Sequence, residues 1–173
     1  MASGPIARVG RHPIHPMLVV FPLGLWIFGL VTYIIFLSTG QDVWDYVAWY
    51  SIAGGIIGAV LAAAAGFADF LAIPPSRART IAIWHMLVNV AALALFILAL
   101  WTRWYGYLNA PLICAIAGTV GILVSGWLGG SLVYLHGVAI SEEGVQDHLA
   151  RTSMRGHREE PGMGPSGAQP LPG

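Results

Sequence analysis

Residues 11–26, RHPIHPMLVVFPLGLW, place two histidines and three prolines at the start of a long apolar run. The run continues through VTYIIFL, so its length of about 20 residues matches the hydrocarbon core of a bilayer. It lacks the small-residue cleavage site that ends a secretory signal. We therefore expect this run to remain in the protein as a membrane-spanning helix, with the histidines at the membrane boundary.

The composition of the whole chain is that of a membrane protein. Only 9% of its 173 residues are charged, whereas a soluble domain has roughly 25%. The basic residues are all arginine and are balanced by the acidic ones, so no net positive charge attracts nucleic acid. A single cysteine, Cys114, cannot form a disulfide framework or a thiolate metal site within one chain.

Three further apolar runs predict three further spans, and short polar links separate all four. Helices joined by short links pack as antiparallel neighbours. We therefore predict an all-α integral membrane protein, a four-helix bundle with up-down-up-down topology. The expected spans are residues 17–38, 47–73, 81–101 and 110–135.

The arginines predict the orientation of this bundle. Seven of the eight lie before the first span, between the second and third, or after the fourth, and Arg103 is the exception. By the positive-inside rule, both termini are cytoplasmic, in a bacterial inner membrane. We divide the chain into a leader (1–16), a transmembrane domain (17–140) and a polar tail (141–173). The Gly, Pro and Ser content of the tail predicts disorder, with His148 and His157 solvated.

Polar residues are predicted to collect at the cytoplasmic end of the bundle, where antiparallel packing brings one from each span together. Stripes of small residues along spans two and four mark helix–helix contacts, and they turn Asp69 and His136 inward. Asn89 follows His85 by four residues and so shares its helix face. The four residues, one per span, are His15, Asp69, His85 and His136.

This set of donors allows several kinds of chemistry. Three imidazoles and a carboxylate suit a divalent metal ion, and two of the imidazoles suit the axial positions of a haem. A proton relay is also open, because imidazole titrates near neutral pH. The alternative is structural: hydrated histidine and aspartate side chains that cap helices near the headgroups. No hydrolase motif is present, so a stand-alone catalytic activity is not expected.

Four motifs, in order, resemble a family of bacterial membrane proteins, the domain of unknown function 2231. They are HPIHPMLVVFPLGLW, GFADFLAIP, WHMLVNVAAL and GGSLVYLHGVAI, within about residues 12–140. Some relatives carry an appended Rieske or cytochrome c domain, which implies a redox setting. This chain has no Rieske Cys/His pairs and no C-x-x-C-H, so we expect any redox partner to be a separate protein. The resemblance assigns the family's polar motif positions to His15, His85, His136, Asp69 and Asn89.

The leading hypothesis from the sequence is therefore a b-type haem or metal-binding electron-transfer module. Two of the three motif histidines would be ligands, and Asp69 or Asn89 would orient one of these ligands by a hydrogen bond, without binding the metal itself. One alternative is a structural subunit of a larger membrane complex, or a homo-oligomer, assembled through the small-residue faces. A carrier of protons, metal ions or small ligands is less favoured, since the middle of the bundle has almost no polar residue besides Tyr33, Thr119 and Ser125.

Overall fold

The described part of the chain contains four long apolar helical spans, and each is long enough to cross a bilayer. The computed structural model describes residues 7–9 and 12–136. The all-α bundle is thereby confirmed, with a small addition before the first span: β1 (Arg8–Val9) pairs antiparallel with β2 (His12–Pro13). The helices are α1 (Ile14–Leu18), α2 (Val20–Thr39), α3 (Asp42–Leu71), α4 (Arg77–Trp104) and α5 (Asn109–Tyr134).

The bounds of the helices follow from local chemistry. Helices α1 and α2 form one span that is interrupted at Val19, because Pro22 has no N–H to bond the carbonyl four residues earlier. Helix α2 ends at Gly40, which adopts φ 67°, a left-handed conformation that glycine adopts without strain. Helix α3 starts with Asp42 and Asp45 in its first turn, where the helix dipole favours negative charge. The Ser76 side chain caps α4 by accepting a hydrogen bond from the backbone N–H of Arg79.

The closest helix packing occurs within two pairs, α2 with α3 and α4 with α5, and the contacts between the pairs are sparser. At the centre, Trp26 stacks on Phe96 with ring centroids 4.2 Å apart. Residues from the other two long helices, such as Ile52 and Ile122, complete this core. A smaller apolar cluster, built on Ile73, Ala82 and Leu132, closes the end of the bundle where α3 and α5 end and α4 begins.

The outer surface of the bundle is apolar, as expected for helices that face lipid. Aromatic side chains near the helix ends are among the most exposed, including Trp104 (73% exposed) and Trp127 (80% exposed). Such positions are typical of the aromatic belts at membrane–water boundaries. The predicted tail at 141–173, with His148 and His157, lies outside the described residues, as do the last residues of the predicted transmembrane domain, 137–140.

Candidate paired-histidine site

Two imidazoles meet at one end of the bundle. His15 on α1 and His85 on α4 are both half-buried, with ring centroids 6.4 Å apart and ring planes at 85°. Helix α1 continues into α2 and packs on α3, so His15 and His85 belong to different helix pairs. The site therefore lies between the two pairs, where the helix contacts are sparse.

The His15 ring is held by helix α3. Its Nδ1 lies 2.8 Å from the backbone carbonyl oxygen of Ala62. A carbonyl only accepts hydrogen bonds, so Nδ1 is the donor of this bond. The ring rests against Gly66, where a Cβ atom would lie 2.7 Å from the His15 Cε1. A glycine is therefore needed at position 66 for the imidazole to occupy this place.

Helix α5 holds the His85 ring in the same way. Its Nδ1 lies 2.9 Å from the carbonyl oxygen of Ser125, and a Cβ atom at Gly129 would lie 3.0 Å from its Cε1. The Asn89 amide nitrogen lies 3.1 Å from the His85 Nε2 and 2.6 Å from the Ser125 Oγ. Since that amide nitrogen only donates, His85 is the neutral tautomer with its hydrogen on Nδ1.

The other two predicted ligands do not join this pair. The Asp69 carboxylate accepts a hydrogen bond of 2.8 Å from the backbone N–H of Ala7, in the leader. His136 bonds through Nδ1 to the carbonyl of Ser131 on its own helix, at 3.1 Å. Among residues 7–9 and 12–136, no three His, Cys, Asp or Glu side chains are grouped so that they could hold a metal ion. The predicted four-ligand metal site is therefore not supported.

Several residues that build the site were absent from the sequence-based list. Gly66, Ser125 and Gly129 belong to the small-residue stripes of spans two and four, and Ser125 is also one of the few polar residues in the middle of the bundle. Ala62, in the same stripe as Gly66, contributes a backbone carbonyl, for which the sequence holds no signal. The role of Asp69 also differs from the prediction. The backbone N–H of Ile14 donates to the carbonyl of Ala7, and the N–H of Ala7 donates to Asp69, so Asp69 holds the described part of the leader against the end of α3.

A second polar group lies at the opposite end of the bundle. Asp45 on α3 and Arg103 on α4 form a bidentate ion pair. The Arg103 Nε lies 2.9 Å from the Asp45 Oδ1, and the Arg103 Nη2 lies 2.5 Å from the Asp45 Oδ2. The Arg103 guanidinium also lies 5.5 Å from the centre of the Phe36 ring, and the Tyr33 hydroxyl donates to the carbonyl of Leu108 at 3.0 Å. Tyr33, Asp45 and Arg103 are among the residues that line a cavity of about 10 Å³, enough for a single water molecule.

This ion pair is expected to stabilise the packing of α3 on α4. Replacing Asp45 with asparagine leaves the Arg103 guanidinium, which is 23% exposed, without its partner. The free energy of unfolding should fall by about 2 kcal/mol, measured by SDS titration of the purified protein. Asp42→Asn, an exposed change on the same helix turn, is the control and should have little effect. An equal loss in both variants would mean that the helix dipole, and not the ion pair, is responsible.

Comparison with known protein families identifies the chain. The model of one family, described as a predicted membrane protein (DUF2231), matches residues 11–142. The chain belongs to this family. The matched range takes in all four candidate spans and both histidines of the pair, so the family resemblance noted from the motifs is confirmed. No curated protein and no solved structure gave a significant match.

Proposed function

We propose that this member of the family is a b-type haem protein that transfers electrons within the membrane, with His15 and His85 as the two residues that would hold the haem iron. The observation that carries the proposal is the meeting of two imidazoles from different helix pairs, with centroids 6.4 Å apart. Two imidazoles that bind one metal ion from opposite sides have ring centroids about 6 Å apart. Each metal–nitrogen bond is about 2 Å long, and each ring centre lies about 1 Å beyond the bonded nitrogen.

The donor chemistry suits a haem better than a bare metal ion. A haem needs only two protein ligands, because its own ring supplies the other four nitrogens. Both histidines donate Nδ1–H to a backbone carbonyl, which fixes the ring and directs the Nε2 lone pair elsewhere. Histidines that ligate metals have this arrangement as a rule, because the second hydrogen bond sets the tautomer and raises the basicity of the ligand.

The packing around the pair also suits a flat group. A flat ring placed between the imidazoles would move the two helix pairs apart. The contacts between the pairs are sparser than those within each pair, so little packing opposes this movement. Gly66 and Gly129 let the Cε1 and Nδ1 atoms of each imidazole lie close to a helix backbone. Binding at His85 requires Asn89 to leave Nε2, and the Ser125 hydroxyl, already 2.6 Å from the amide, would retain it.

In this proposal the protein supplies binding and insulation, and a bound haem would supply the one-electron ferric–ferrous chemistry. The two imidazoles would hold the group at the membrane boundary, and the core of Trp26, Phe96 and Ile122 would keep water from the interior. Arg77 and Arg79 begin α4 beside the site, which favours a cytoplasmic position for it in an up-down-up-down bundle of a bacterial inner membrane. The electron partner would be a separate Rieske or cytochrome c type protein.

A structural subunit of a larger complex is the second candidate, and one observation favours it. Within the described ranges, every buried side-chain nitrogen or oxygen has a hydrogen-bond partner in the protein itself. The polar network could therefore serve packing alone. A carrier is disfavoured by the apolar core, and the buried hydroxyls of Thr32 and Ser51 bond to carbonyls of their own helices.

Optical spectroscopy tests the haem proposal. The detergent-purified protein, as isolated or after addition of hemin, is expected to show a Soret band that sharpens and gains α and β bands on reduction with dithionite. His15→Ala and His85→Ala should each abolish the six-coordinate spectrum, because one axial nitrogen is lost. His136→Ala is the matched control and should leave the spectrum unchanged, since within the described part of the chain its hydrogen bond is to the carbonyl of Ser131 in α5.

Two outcomes would decide against the proposal. A wild-type protein that stays colourless with added hemin would favour the structural subunit, as would identical spectra in all three variants. Circular dichroism of each variant separates loss of the ligand from loss of the fold: the helical signal should remain while the Soret band is lost.

A further inference from the structure

The contacts between the helices of the first pair recur between the helices of the second pair, at constant offsets in residue number. We call α1, α2 and α3 the first hairpin, and α4 and α5 the second. His15 and His85 differ by 70 in residue number, and each donates Nδ1–H across its hairpin. The accepting carbonyls, of Ala62 and Ser125, differ by 63. The glycines beneath the rings, Gly66 and Gly129, differ by 63 as well.

The same two offsets hold further along the helices. Gly55 packs against the Trp26 ring, and Gly118 against the Phe96 ring. These aromatic residues follow their histidines by eleven positions in both hairpins, about 16 Å along the helix, and stack on each other. Between the two levels, Gly58 contacts Pro22 in the first hairpin and Gly121 contacts Ala92 in the second, again with offsets of 63 and 70.

Side-chain hydrogen bonds on the far side of the core follow the same rule. The Thr32 hydroxyl bonds to the carbonyls of Phe28 and Gly29. The Thr102 hydroxyl bonds to the carbonyls of Leu98 and Ala99, each 70 residues later. Such agreement at three levels of contact between the paired helices is not a consequence of apolar composition, which places no particular residue opposite another. The threonine bonds add a fourth level within the first long helix of each hairpin.

The sequence carries a faint trace of the repeat. Between residues 15–33 and 85–103, seven of nineteen aligned positions are identical, including the histidine and the threonine. In the second helix of each hairpin, three glycines coincide: 55, 58 and 66 with 118, 121 and 129. The apolar identities alone would be weak evidence for a repeat. The histidine, threonine and glycines, however, are the residues that make the repeated contacts.

We infer that the bundle consists of two copies of one helical hairpin, residues 15–73 and 85–136, assembled about an approximate two-fold axis. The axis runs along the bundle, between His15 and His85 and between Trp26 and Phe96, as in membrane proteins whose parallel repeats are related about the membrane normal. The paired-histidine site lies on the axis and receives one imidazole, one carbonyl and one glycine from each copy. A ligand with two equivalent faces matches such a site, and a ligand with a single polar face does not.

The copies differ at two positions next to the site. Asn89 and Ser125, which bond to His85 and to each other, correspond to Val19 and Ala62 beside His15. This difference provides a test that depends on stability alone and not on any bound group. If the hairpins are equivalent, an asparagine and a serine introduced at positions 19 and 62 will meet as Asn89 and Ser125 do.

The test is a pair of double-mutant cycles in the full chain, with melting temperature as the readout. The cycle of Asn89→Val and Ser125→Ala is the reference, and its two changes should be strongly non-additive because the side chains are bonded. In the first hairpin, Val19→Asn and Ala62→Ser should couple favourably, so that the double variant melts higher than the two single shifts predict. Additive shifts in the first hairpin, beside coupling in the second, would overturn the inference.

Glycine substitutions provide a second measurement should an asparagine at position 19 prevent folding. A Cβ atom would be closest to its neighbours at 55, then 66, then 58 in the first hairpin, and at 118, then 129, then 121 in the second. Equivalent copies predict the same order of thermal destabilisation by alanine in both series. Different orders would contradict the repeat, whatever the haem spectra show.

Discussion

Replacing Phe96 with alanine is expected to lower the free energy of unfolding by about 3–5 kcal/mol. The Phe96 side chain is 0% exposed, and it lies at the centre of the bundle. One face of its ring stacks on Trp26 at 4.2 Å, and its edge lies against Gly118. Lipid is as apolar as this core, so the loss arises mainly from the cavity and the missing packing contacts, not from transfer to water.

Phe28 provides a matched control, because it is the same residue type in a helix of the same bundle but is 51% exposed on the lipid-facing surface. Phe28→Ala should change the free energy of unfolding by less than about 1 kcal/mol, since lipid chains fill the space that the ring leaves. Both variants can be compared by SDS titration in the same detergent. Equal losses would place the Phe96 ring outside the core and contradict the packing described above.

The sequence predicted the number of spans correctly and their ends only approximately. Hydropathy marks where a chain is apolar, whereas caps and prolines decide where a helix begins. Helix α3, for example, starts at Asp42 and not at 47, because acidic residues stabilise a first turn that hydropathy alone excludes. The first span starts at Ile14 and is interrupted by the missing N–H of Pro22, which an apolar run does not reveal.

The candidate site was predicted in part. His15 and His85 could be placed together because both begin spans that run in the same direction in the predicted bundle. Asp69 and His136 were predicted to join them, but the structure gives both a backbone partner: Asp69 accepts from the N–H of Ala7, and His136 bonds to the carbonyl of Ser131. Backbone groups carry no side-chain signal, so the carbonyls that orient the two imidazoles were invisible in the sequence.

The ion pair between Asp45 and Arg103 was missed for a different reason. In the sequence, Arg103 counted only as the exception to the positive-inside pattern, and Asp45 as one of the polar residues in a link. Their pairing depends on the rotation of α3 against α4, which the apolar surfaces of the helices do not determine. The small-residue stripes determine rotation better, because a glycine must face whatever approaches it most closely.

Gly55 shows the strength of that constraint, and Gly55→Leu is expected to destabilise the bundle by about 3 kcal/mol or more. Even a Cβ atom at position 55 would overlap Cδ1 and Nε1 of the Trp26 indole. That indole donates a hydrogen bond of 3.3 Å to the carbonyl of Ile52 and stacks on Phe96, so it has no free space into which to move. The added side chain must therefore force α2 away from α3 or break the aromatic stack.

The matched control for this variant is Gly24→Leu, which adds the same atoms to the neighbouring helix. Gly24 is exposed, and a Cβ atom there meets nothing within 4 Å. In this position leucine should be neutral or stabilising, because glycine is the poorer helix former by about 1 kcal/mol. Thermal unfolding followed by circular dichroism separates the two cases. Since both changes raise the apolar character of a span equally, a difference between them measures helix packing, and similar melting temperatures would show that α2 and α3 are not in the close contact that brings Trp26 to Phe96.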